Sequence, residues 1–318
     1  MPPAILIIGS LNTDFISTAP RLPALGETLA SSGFSTAPGG KGANQAVACA
    51  RLSSLSSLAV RMCGAVGTDA FAAAITSELM DSGVNTSFVR AVDGPTGTAV
   101  IIVDEASGEN RILIHPGANG AVSVREVESM GENMWEGVRA VVLQLEVPVE
   151  TVVWALKEAK RRGVKTVFNP APALAAGLDG CWEDVDWLIV NVPEAAILTG
   201  VGVEELDARE GVVRAAEVLR GRGCGEIVIT LGGRGCYWCG AAGKSGWQGA
   251  TVKREEVVDT TGAGDTFVGA FAVAVVVGEK SVEEAVKWSS MVAGAAVKKR
   301  GAFDGVPWLY QVEAMQSN

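Results

Sequence analysis

The sequence predicts an α/β protein built on a doubly wound, mostly parallel sheet flanked by helices. Three observations support this fold class. Short apolar runs alternate with longer helix-like stretches along most of the 318 residues. These runs are apolar almost throughout, which indicates strands buried on both faces of a parallel sheet. Hydrophobic residues make up 48% of the chain, enough for one large core.

The predicted elements follow that alternation from one end of the chain to the other. The strands are the apolar runs 4–9, 58–66, 138–143, 164–168, 187–190 and 226–231, with a shorter run at 257–258. The helices are 43–52, 70–82, 150–162, 208–220 and 263–277, and a last helix begins near residue 281. A further helix start is expected at Asn191, because asparagine caps helices and Pro193 fits a first turn.

Two segments break the alternation. Residues 26–37 are small and polar with scattered apolar side chains, and residues 97–115 alternate around a hairpin signature at 104–108. Together they predict a small sheet outside the main core. An ordinary edge hairpin is the alternative.

The segment 257–267 carries the strongest chemical signal. A short apolar run leads into the turn Gly262-Ala263-Gly264, and Asp265 follows at the start of an apolar helix. The small residues let main-chain amides approach an anion, and the helix N-terminus adds positive charge there. A carboxylate inside such a cradle suits phosphoryl transfer, since it can take a hydroxyl proton. The alternative is that Asp265 merely caps the helix.

A second glycine-rich segment, Pro38-Gly39-Gly40-Lys41-Gly42-Ala43-Asn44-Gln45, also precedes a helix. Its polar side chains Lys41 and Asn44 can bind a polyhydroxyl ligand or a phosphate, although a capped helix in a surface loop is the alternative. The segment is not a Walker A loop, because residue 35 is Ser, and no G-x-G-x-x-G follows the first strand.

Many of these polar motifs fall where predicted strands end. In parallel sheets ligands bind outside the carboxyl ends of the strands. The pattern therefore predicts one composite site. The motifs at strand ends are 9–14, Glu146, Asn169, Asn191, 230–235 and 259–265.

Composition excludes several other functions. The net charge of −10 argues against a nucleic-acid partner, and the longest apolar stretch, 266–278, is too short to cross a membrane. A cytoplasmic location is expected. The six cysteines resemble a reduced set, and the lone pair Cys236 and Cys239 is expected to be buried thiols. The only histidine, His115, is expected at a strand end in a structural role, which leaves no Ser-His-Asp hydrolase.

The two glycine-rich segments, together with Gly9-Ser10-Leu11-Asn12-Thr13-Asp14, resemble the ribokinase-like carbohydrate kinase family. The order of the motifs runs along almost the whole chain. Softer matches are Gln144-Leu145-Glu146, Asn169-Pro170-Ala171-Pro172, Asn191 with Glu194, and Thr230-Leu231-Gly232-Gly233-Arg234-Gly235.

The resemblance implies ATP-dependent phosphorylation of D-ribose at its 5-hydroxyl, with Asp265 as base and Gly262, Ala263 and Gly264 as anion hole. It implies a large domain of residues 1–14, 38–92 and 117–318. A small β lid of residues 15–37 and 93–116 would close over the sugar and join a second subunit in a homodimer.

It also implies ligands for the substrate and cofactors ATP, Mg²⁺ and K⁺. The residues for ribose are Asn12, Asp14, Gly40, Lys41, Gly42, Asn44, Glu146 and Asp265. Those for the nucleotide are Asn191, Thr230, Gly232, Gly233, Arg234, Gly235, Gly264 and Ser290, with Glu194 reaching Mg²⁺ through water. Those for the monovalent cation are Asp259, Thr261, Ala296, Lys299, Gly301 and Gly305.

The chain departs from the family pattern at four places: Lys299 and Gly305 in the cation segment, Ser290 near the adenine, and Val268 after the second motif. Two alternatives to the ribose activity stay open. One is a kinase for another sugar or a nucleoside. The other is a sugar-binding regulatory protein without chemistry, which is expected to lack Asp265 or its glycines.

Overall fold

The chain forms two sheets and the helices that cover the larger one. The computed structural model describes residues 2–54, 56–106, 110–240 and 243–316. The strands are β1 (Ala4–Ile8), β2 (Asn12–Ala19), β3 (Gly33–Gly39), β4 (Ala59–Val66), β5 (Asn85–Ala91), β6 (Gly97–Asp104), β7 (Asn110–His115), β8 (Val138–Leu143), β9 (Lys165–Phe168), β10 (Trp187–Asn191), β11 (Glu226–Thr230), β12 (Cys236–Cys239) and β13 (Ser245–Gln248). The helices are α1 (Lys41–Arg51), α2 (Ala70–Asp81), α3 (Val124–Ser129), α4 (Val149–Arg162), α5 (Val192–Thr199), α6 (Arg209–Gly221), α7 (Ala263–Val276), α8 (Val282–Ala296), α9 (Ala302–Gly305) and α10 (Leu309–Gln316).

The larger sheet confirms the predicted fold class. Its order, over the described residues, is β13-β12-β11-β10-β9-β8-β1-β4-β5. Every pairing from β11 to β5 is parallel, and the β11-β12 and β12-β13 pairs are antiparallel. The antiparallel hairpin places Gly232 and Gly233 in a turn between two strands, as expected from the sequence.

Core packing explains why the strands are apolar on both faces. All five residues of β1 are buried, and successive residues point to opposite sides of the sheet. Ile5 and Ile7 pack in one layer with helices α1, α7 and α8, whereas Leu6 and Ile8 pack in the other with α4, α5 and α6. The sheet is therefore covered on both faces, as a parallel sheet requires.

Helices α1 and α7 lie unusually close together. A Cβ on Gly269 of α7 would lie 2.9 Å from the Gln45 carbonyl oxygen and 3.1 Å from the Cys49 nitrogen, both on α1. Glycine at this point lets the two backbones touch. Because these are the helices that follow the two glycine-rich segments, the packing brings those segments side by side.

The smaller sheet lies outside the core and has the order β3-β2-β6-β7. This agrees with the small sheet predicted from residues 26–37 and 97–115, to which β2 adds a central strand. In its register Asn12 pairs with Gly39 and Gly97, and Asp14 pairs with Ala37 and Ala99. The predicted hairpin turn at 104–108 lies partly outside the described residues.

One predicted strand is wrong. Val257 and Val258 form no strand but a loop, in which the amides of Val258 and Asp259 donate to the Val297 carbonyl at 2.8 and 3.1 Å. Val258 is 55% exposed. A run of two apolar residues is too short to specify a buried strand, and the loop is fastened to the end of α8 instead.

No helix in the described part of the chain has the length and apolar character needed to span a membrane. All six cysteines are buried and unpaired, as expected. His115 is the last residue of β7, at the strand end where the sequence predicts it.

Candidate active site

Asp265 is the third residue of α7, and its carboxylate is directed at α1. Gly262, with φ of 73°, is the N-cap residue, so Asp265 does not cap the helix. Its side chain is 7% exposed. Oδ2 accepts a hydrogen bond from Asn44 Nδ2 at 2.8 Å, and Oδ1 accepts one from Gln45 Nε2 at 2.9 Å. Both oxygens of a buried carboxylate are thus held by neutral donors from the other glycine-rich segment.

The first turn of α7 presents main-chain donors beside this carboxylate. The Ala263 amide donates to the Thr260 carbonyl at 3.2 Å, whereas within the described residues the amides of Gly264 and Asp265 have no backbone acceptor. A Cβ on Gly264 would meet no atom within 4 Å, so this glycine borders open space. The geometry suits an anion at a helix N-terminus.

Glycines explain how α1 reaches the end of β1. Gly40 caps α1 with φ of 88°. A Cβ on Gly42 would lie 2.7 Å from the Gly9 carbonyl carbon, and one on Gly9 would lie 2.9 Å from Gly42 Cα. The Gly42 amide donates to Ser10 Oγ at 3.2 Å. Gly42 is therefore buried in the contact between the strand and the helix.

Three carboxylates act on the ammonium group of Lys41 in this cleft. Glu146 accepts hydrogen bonds from Ser10 Oγ at 2.6 Å and from the Lys41 amide at 2.9 Å. Burial alone would lower the pKa of Lys41, but Asp265, Glu146 and Glu194 outweigh it, and the pKa of Lys41 is raised. Lys41 is therefore charged.

Asp14 supplies a further buried carboxyl group near Glu146 and Asp265. It lies against Gly39, where a side chain would collide with it. Burial, and after it the negative charges of Glu146 and Asp265, together raise the pKa of Asp14 to about 7. The cleft thus combines charged and neutral polar groups in a confined space, which suits a ligand with many hydroxyl groups.

Asn12 has a partner that the sequence did not reveal. Asn119 is buried, its Nδ2 donates to Asn12 Oδ1 at 2.7 Å, and its Oδ1 accepts from the Leu11 amide at 2.9 Å. Because the Asn12 oxygen is taken, its Nδ2 group is the end available to a ligand. Asn119 follows the smaller sheet in the chain and belongs to no motif, so only the fold could identify it.

Four buried side-chain oxygens have no hydrogen-bond partner among the described residues, and one of them belongs to Asn44. Asn44 Oδ1 is buried and unpaired, although Nδ2 of the same amide donates to Asp265. A buried acceptor without a donor is costly unless a ligand supplies one. Asn44 therefore contacts the Asp265 carboxylate through Nδ2 and leaves Oδ1 to accept a hydrogen bond from a ligand hydroxyl.

Glu194 and Asn191 form a capping box at the start of α5. The Glu194 amide donates to Asn191 Oδ1 at 2.9 Å, and Glu194 Oε2 accepts from the Asn191 amide at 2.8 Å. Burial raises the pKa of Glu194, although the hydrogen bond from Asn191 opposes this. Asn169 Nδ2 lies 3.5 Å from Glu194 Oε2. The expected helix cap is thus present.

No cluster of three or more His, Cys, Asp or Glu residues suited to a metal ion occurs in the described ranges. Glu194 is a single carboxylate whose two oxygens already accept hydrogen bonds from Asn191. This donor set fits a Mg²⁺ ion that is held mainly by phosphate oxygens and water.

The 230–235 segment begins where β11 ends at Thr230. A Cβ on Gly232 or Gly233 would meet no atom within 4 Å, so both border open space, as Gly264 does. Arg234 is turned away from that space: its Nη1 donates to the Asp207 carbonyl at 2.8 Å and to the Leu206 carbonyl at 3.2 Å.

Gly235 and Ser290 complete the expected nucleotide set. Gly235 has φ of 88°, and a side chain there would collide with the Gln248 carbonyl. Ser290 is half-buried on α8, with its Oγ 3.7 Å from Cys236 Sγ and its carbonyl accepting from Thr251 Oγ1 at 2.9 Å.

Thr261 and Gly301, two of the residues expected for a monovalent cation, donate hydrogen bonds to Asp259. Its Oδ1 accepts from Thr261 Oγ1 at 2.7 Å, and its Oδ2 accepts from the Gly301 amide at 2.9 Å. Burial would raise the pKa of Asp259, but these hydrogen bonds outweigh it and lower the pKa. A Cβ on Gly305 would lie 3.0 Å from the Ala296 carbonyl oxygen, which also accepts from the Lys299 amide at 3.1 Å. The atoms that these residues offer as ligands to a cation are oxygens, which a hard cation prefers.

The chain is similar to known proteins along almost its whole length. The family model described as pfkB family carbohydrate kinase matches residues 3–309. A protein named ribokinase from Schizosaccharomyces pombe is 38% identical over 317 residues, which cover 97% of this chain and 96% of the relative. A protein named deoxyribokinase from Salmonella typhi is 35% identical over 308 residues, covering 96% of each chain. The solved structure of Arabidopsis thaliana ribokinase complexed with ribose and ATP has a TM-score of 0.86 at 31% identity, covering 100% of both chains.

Proposed function

The chain belongs to the pfkB family of carbohydrate kinases, and we propose that it transfers the terminal phosphoryl group of ATP to the 5-hydroxyl of D-ribose. The observation that carries the proposal is the position of Asp265. Its buried carboxylate lies beside the amides of Gly264 and Asp265, which have no backbone partner in the part of the chain that the structure describes. It also contacts Asn44, one of the α1 residues proposed to bind the sugar.

The chemistry follows from that position. The 5-hydroxyl loses its proton to Asp265 as its oxygen attacks the terminal phosphorus of ATP, and ADP leaves. Because phosphoryl transition states are loose, positioning and charge stabilisation lower most of the barrier. Of the anion hole expected at Gly262, Ala263 and Gly264, the Ala263 amide is taken by the Thr260 carbonyl. We propose that the Gly264 amide stabilises the transferring group, together with the amide of Asp265. The ammonium of Lys41 compensates part of the surrounding negative charge.

Mg²⁺ would arrive with ATP and neutralise phosphate charge, with Glu194 in its water shell. The nucleotide would lie along the open glycines Gly232, Gly233 and Gly264, where the absence of side chains leaves room.

Sugar recognition is proposed for residues from both sheets and from α1. Asn12 offers its Nδ2 group, Asn44 its unpaired oxygen, and Asp14 and Glu146 their carboxylates. A second sugar deserves testing, because a relative of nearly equal similarity is named deoxyribokinase. A panel of D-ribose, 2-deoxy-D-ribose, other sugars and nucleosides with ATP, followed by ADP release, decides between them.

K⁺ is proposed to bind the oxygens around Asp259. The carbonyl oxygens of Thr261, Ala296, Lys299, Gly301 and Gly305 would share it, and such an ion would rigidify the turn before α7 without touching the sugar. The ADP assay with D-ribose, run with and without K⁺, tests this: a turnover rate independent of K⁺, with sodium as the matched salt, would contradict the site.

A homodimer through the smaller sheet is also proposed. All six residues of β7 are exposed, and Leu113 is 73% exposed. An apolar edge strand with no cover is a surface that a second copy of the chain would bury.

Substitution of Asp265 by Asn tests the catalytic assignment. Asn keeps the shape of the side chain but removes the base, so turnover of D-ribose is expected to fall by about 10²–10⁴-fold. Thermal unfolding should show that the variant still folds. Asp81→Asn, an exposed carboxylate at the end of α2, is the control and should keep full activity.

The result also separates the enzyme from a regulatory protein. Normal turnover by Asp265→Asn would refute the assigned base. Stabilisation of the wild-type protein by sugar, without any release of ADP, would instead favour a sugar-binding protein that has lost its chemistry.

A further inference from the structure

We propose that Gln45 is a positioning residue for Asp265, and that Gln144 holds the Gln45 amide in the orientation that this role needs. The inference rests on the proposed phosphoryl transfer, in which Asp265 accepts the proton. Gln45 follows Asn44 on α1 and is fully buried. Its Nε2 donates to Asp265 Oδ1 at 2.9 Å and to Asn169 Oδ1 at 3.2 Å.

The orientation of this amide matters because its two ends have nearly the same shape. If the oxygen of Gln45 faced Asp265, two acceptors would meet and the carboxylate would turn away. Gln144 and Asn169 together oppose this. Gln144 Nε2 donates to Gln45 Oε1 at 2.6 Å, and Asn169, whose Nδ2 donates to the Ile189 carbonyl at 2.9 Å, accepts from Gln45 Nε2. Gln144 is itself fully buried and is the residue that directly follows β8. The oxygen of Gln45 is thus occupied on the side away from Asp265.

The carboxylate is then held at two points by one rigid element. Asn44 takes Oδ2 and Gln45 takes Oδ1, and both belong to α1. Helix α1 touches the backbone of α7 at Gly269. Two hydrogen bonds from consecutive residues fix the rotation of the carboxylate about its Cβ–Cγ bond as well as its distance.

The other charged groups near Asp265 do not supply this restraint. Lys41 on α1, Asp14 on β2 and Glu194 on α5 act on it through their charges. In the described part of the chain, its hydrogen-bond donors are the side chains of Asn44 and Gln45. Asn44 also has an unpaired oxygen for a ligand, whereas both ends of the Gln45 amide are used inside the protein. Gln45 therefore acts through Asp265 and not on the sugar.

The test compares Gln45→Met with the matched variant Gln144→Met, which removes an equally buried amide that does not touch the carboxylate. Gln45→Met should lose about 10²-fold in kcat, because a misplaced base reacts poorly. Its Kd for D-ribose, measured by titration calorimetry, should stay within about threefold of wild type. Gln144→Met should lose about tenfold, because Gln45 loses one of the two partners that orient its amide and keeps the other, Asn169. An unchanged kcat in Gln144→Met would exclude the role of Gln144.

Gln45→Glu is a second variant that preserves volume and the acceptor for Gln144. It places an oxygen against Asp265, so kcat should fall as far as in Gln45→Met; this variant decides the matter if the methionine protein does not fold. Wild-type kcat in both would overturn the inference. So would a parallel rise in the Kd for D-ribose, which would make Gln45 part of the sugar pocket.

Crystal structures separate this inference from the proposed function. A wild-type protein that phosphorylates no sugar contradicts the function, yet the carboxylate can still be observed. In Gln45→Met the Asp265 carboxylate should be rotated or disordered, and in Gln144→Met it should be disturbed less, since Asn169 still accepts from Gln45 Nε2. An unmoved carboxylate in Gln45→Met would overturn the positioning role.

Discussion

Asp14, which we propose binds the sugar, is buried at a cost to the stability of the fold. Burial, then the charges of Glu146 and Asp265, raise its pKa from an ordinary 3.8 to about 7. Between these two values the unfolded chain releases the Asp14 proton while the native protein keeps it. The native state is therefore progressively disfavoured as the pH rises through this range, and the full cost is present above it.

Asp14→Asn is accordingly expected to stabilise the protein without ligand. Its gain in unfolding free energy over wild type should be near zero at about pH 4 and reach about 2–4 kcal/mol at about pH 8, from about 1.4 kcal/mol per unit of pKa shift. Chemical denaturation at several pH values measures this. The same variant should bind D-ribose more weakly. A gain that shrinks with rising pH would contradict the burial of an ionisable carboxyl at this position.

Residues in motifs could be predicted from the sequence, and their partners could not. Asp265 and Asn44 are marked by the glycines around them, whereas their contact joins positions 221 residues apart. Asn119 lacks even that mark, and its role follows only from its contact with Asn12. Pairwise geometry between distant residues depends on how helices pack, which no local pattern encodes.

At the scale of elements, the turn before α7 contains two glycines with different physical roles. Gly262 needs its positive φ of 73°, and a Cβ there would lie 2.9 Å from Ala302 Cα. Gly264 lies inside the helix and borders open space. The first glycine is explained by backbone conformation and packing, and the second by room for a ligand.

Alanine substitutions should separate these roles. Gly264→Ala should keep or raise stability by up to about 1 kcal/mol, because alanine favours a helix, while the KM for ATP rises about tenfold or more. Gly262→Ala should instead destabilise the protein by about 1–3 kcal/mol. Melting curves and steady-state kinetics measure both. Unchanged kinetics in a stable Gly264→Ala protein would place the nucleotide elsewhere.

The main elements were predictable because each carries its own periodicity and boundary residues. Strand β8 has its predicted bounds, and helix α7 ends one residue earlier than expected. The loop at 257–258 was not predictable, because its conformation is set by hydrogen bonds to the distant end of α8. Local pattern thus determines elements, and long-range contact determines the loops between them.

At the scale of the whole molecule, β7 is an exposed edge. Its apolar side chains Ile112, Leu113 and Ile114 are 50%, 73% and 44% exposed. A strand packed on its own core would bury alternate residues. The proposed dimer would explain why this strand does not.

Leu113→Lys is expected to convert a dimer to a monomer in light scattering at micromolar concentration, since a buried lysine at a symmetric contact is repeated in both copies. Ile197→Lys, on α5 and 50% exposed, is the control and should leave the mass unchanged. A wild-type chain that is already monomeric would exclude the contact.

The position of Asn12 and Asp14 on the smaller sheet would couple binding of the sugar to closure of that sheet over the site. Asn12 and Asp14 stand on its central strand, whereas Asn44 and Asp265 stand on helices of the core. A sugar bound by both sets of residues would connect the smaller sheet to the helices of the core. Analogues that lack the hydroxyl opposite Asp14 would still bind to the helices but would not contact the smaller sheet. The enzyme would then discriminate between sugars by closing incompletely around the wrong one: the analogue would stay bound, and turnover would be lost.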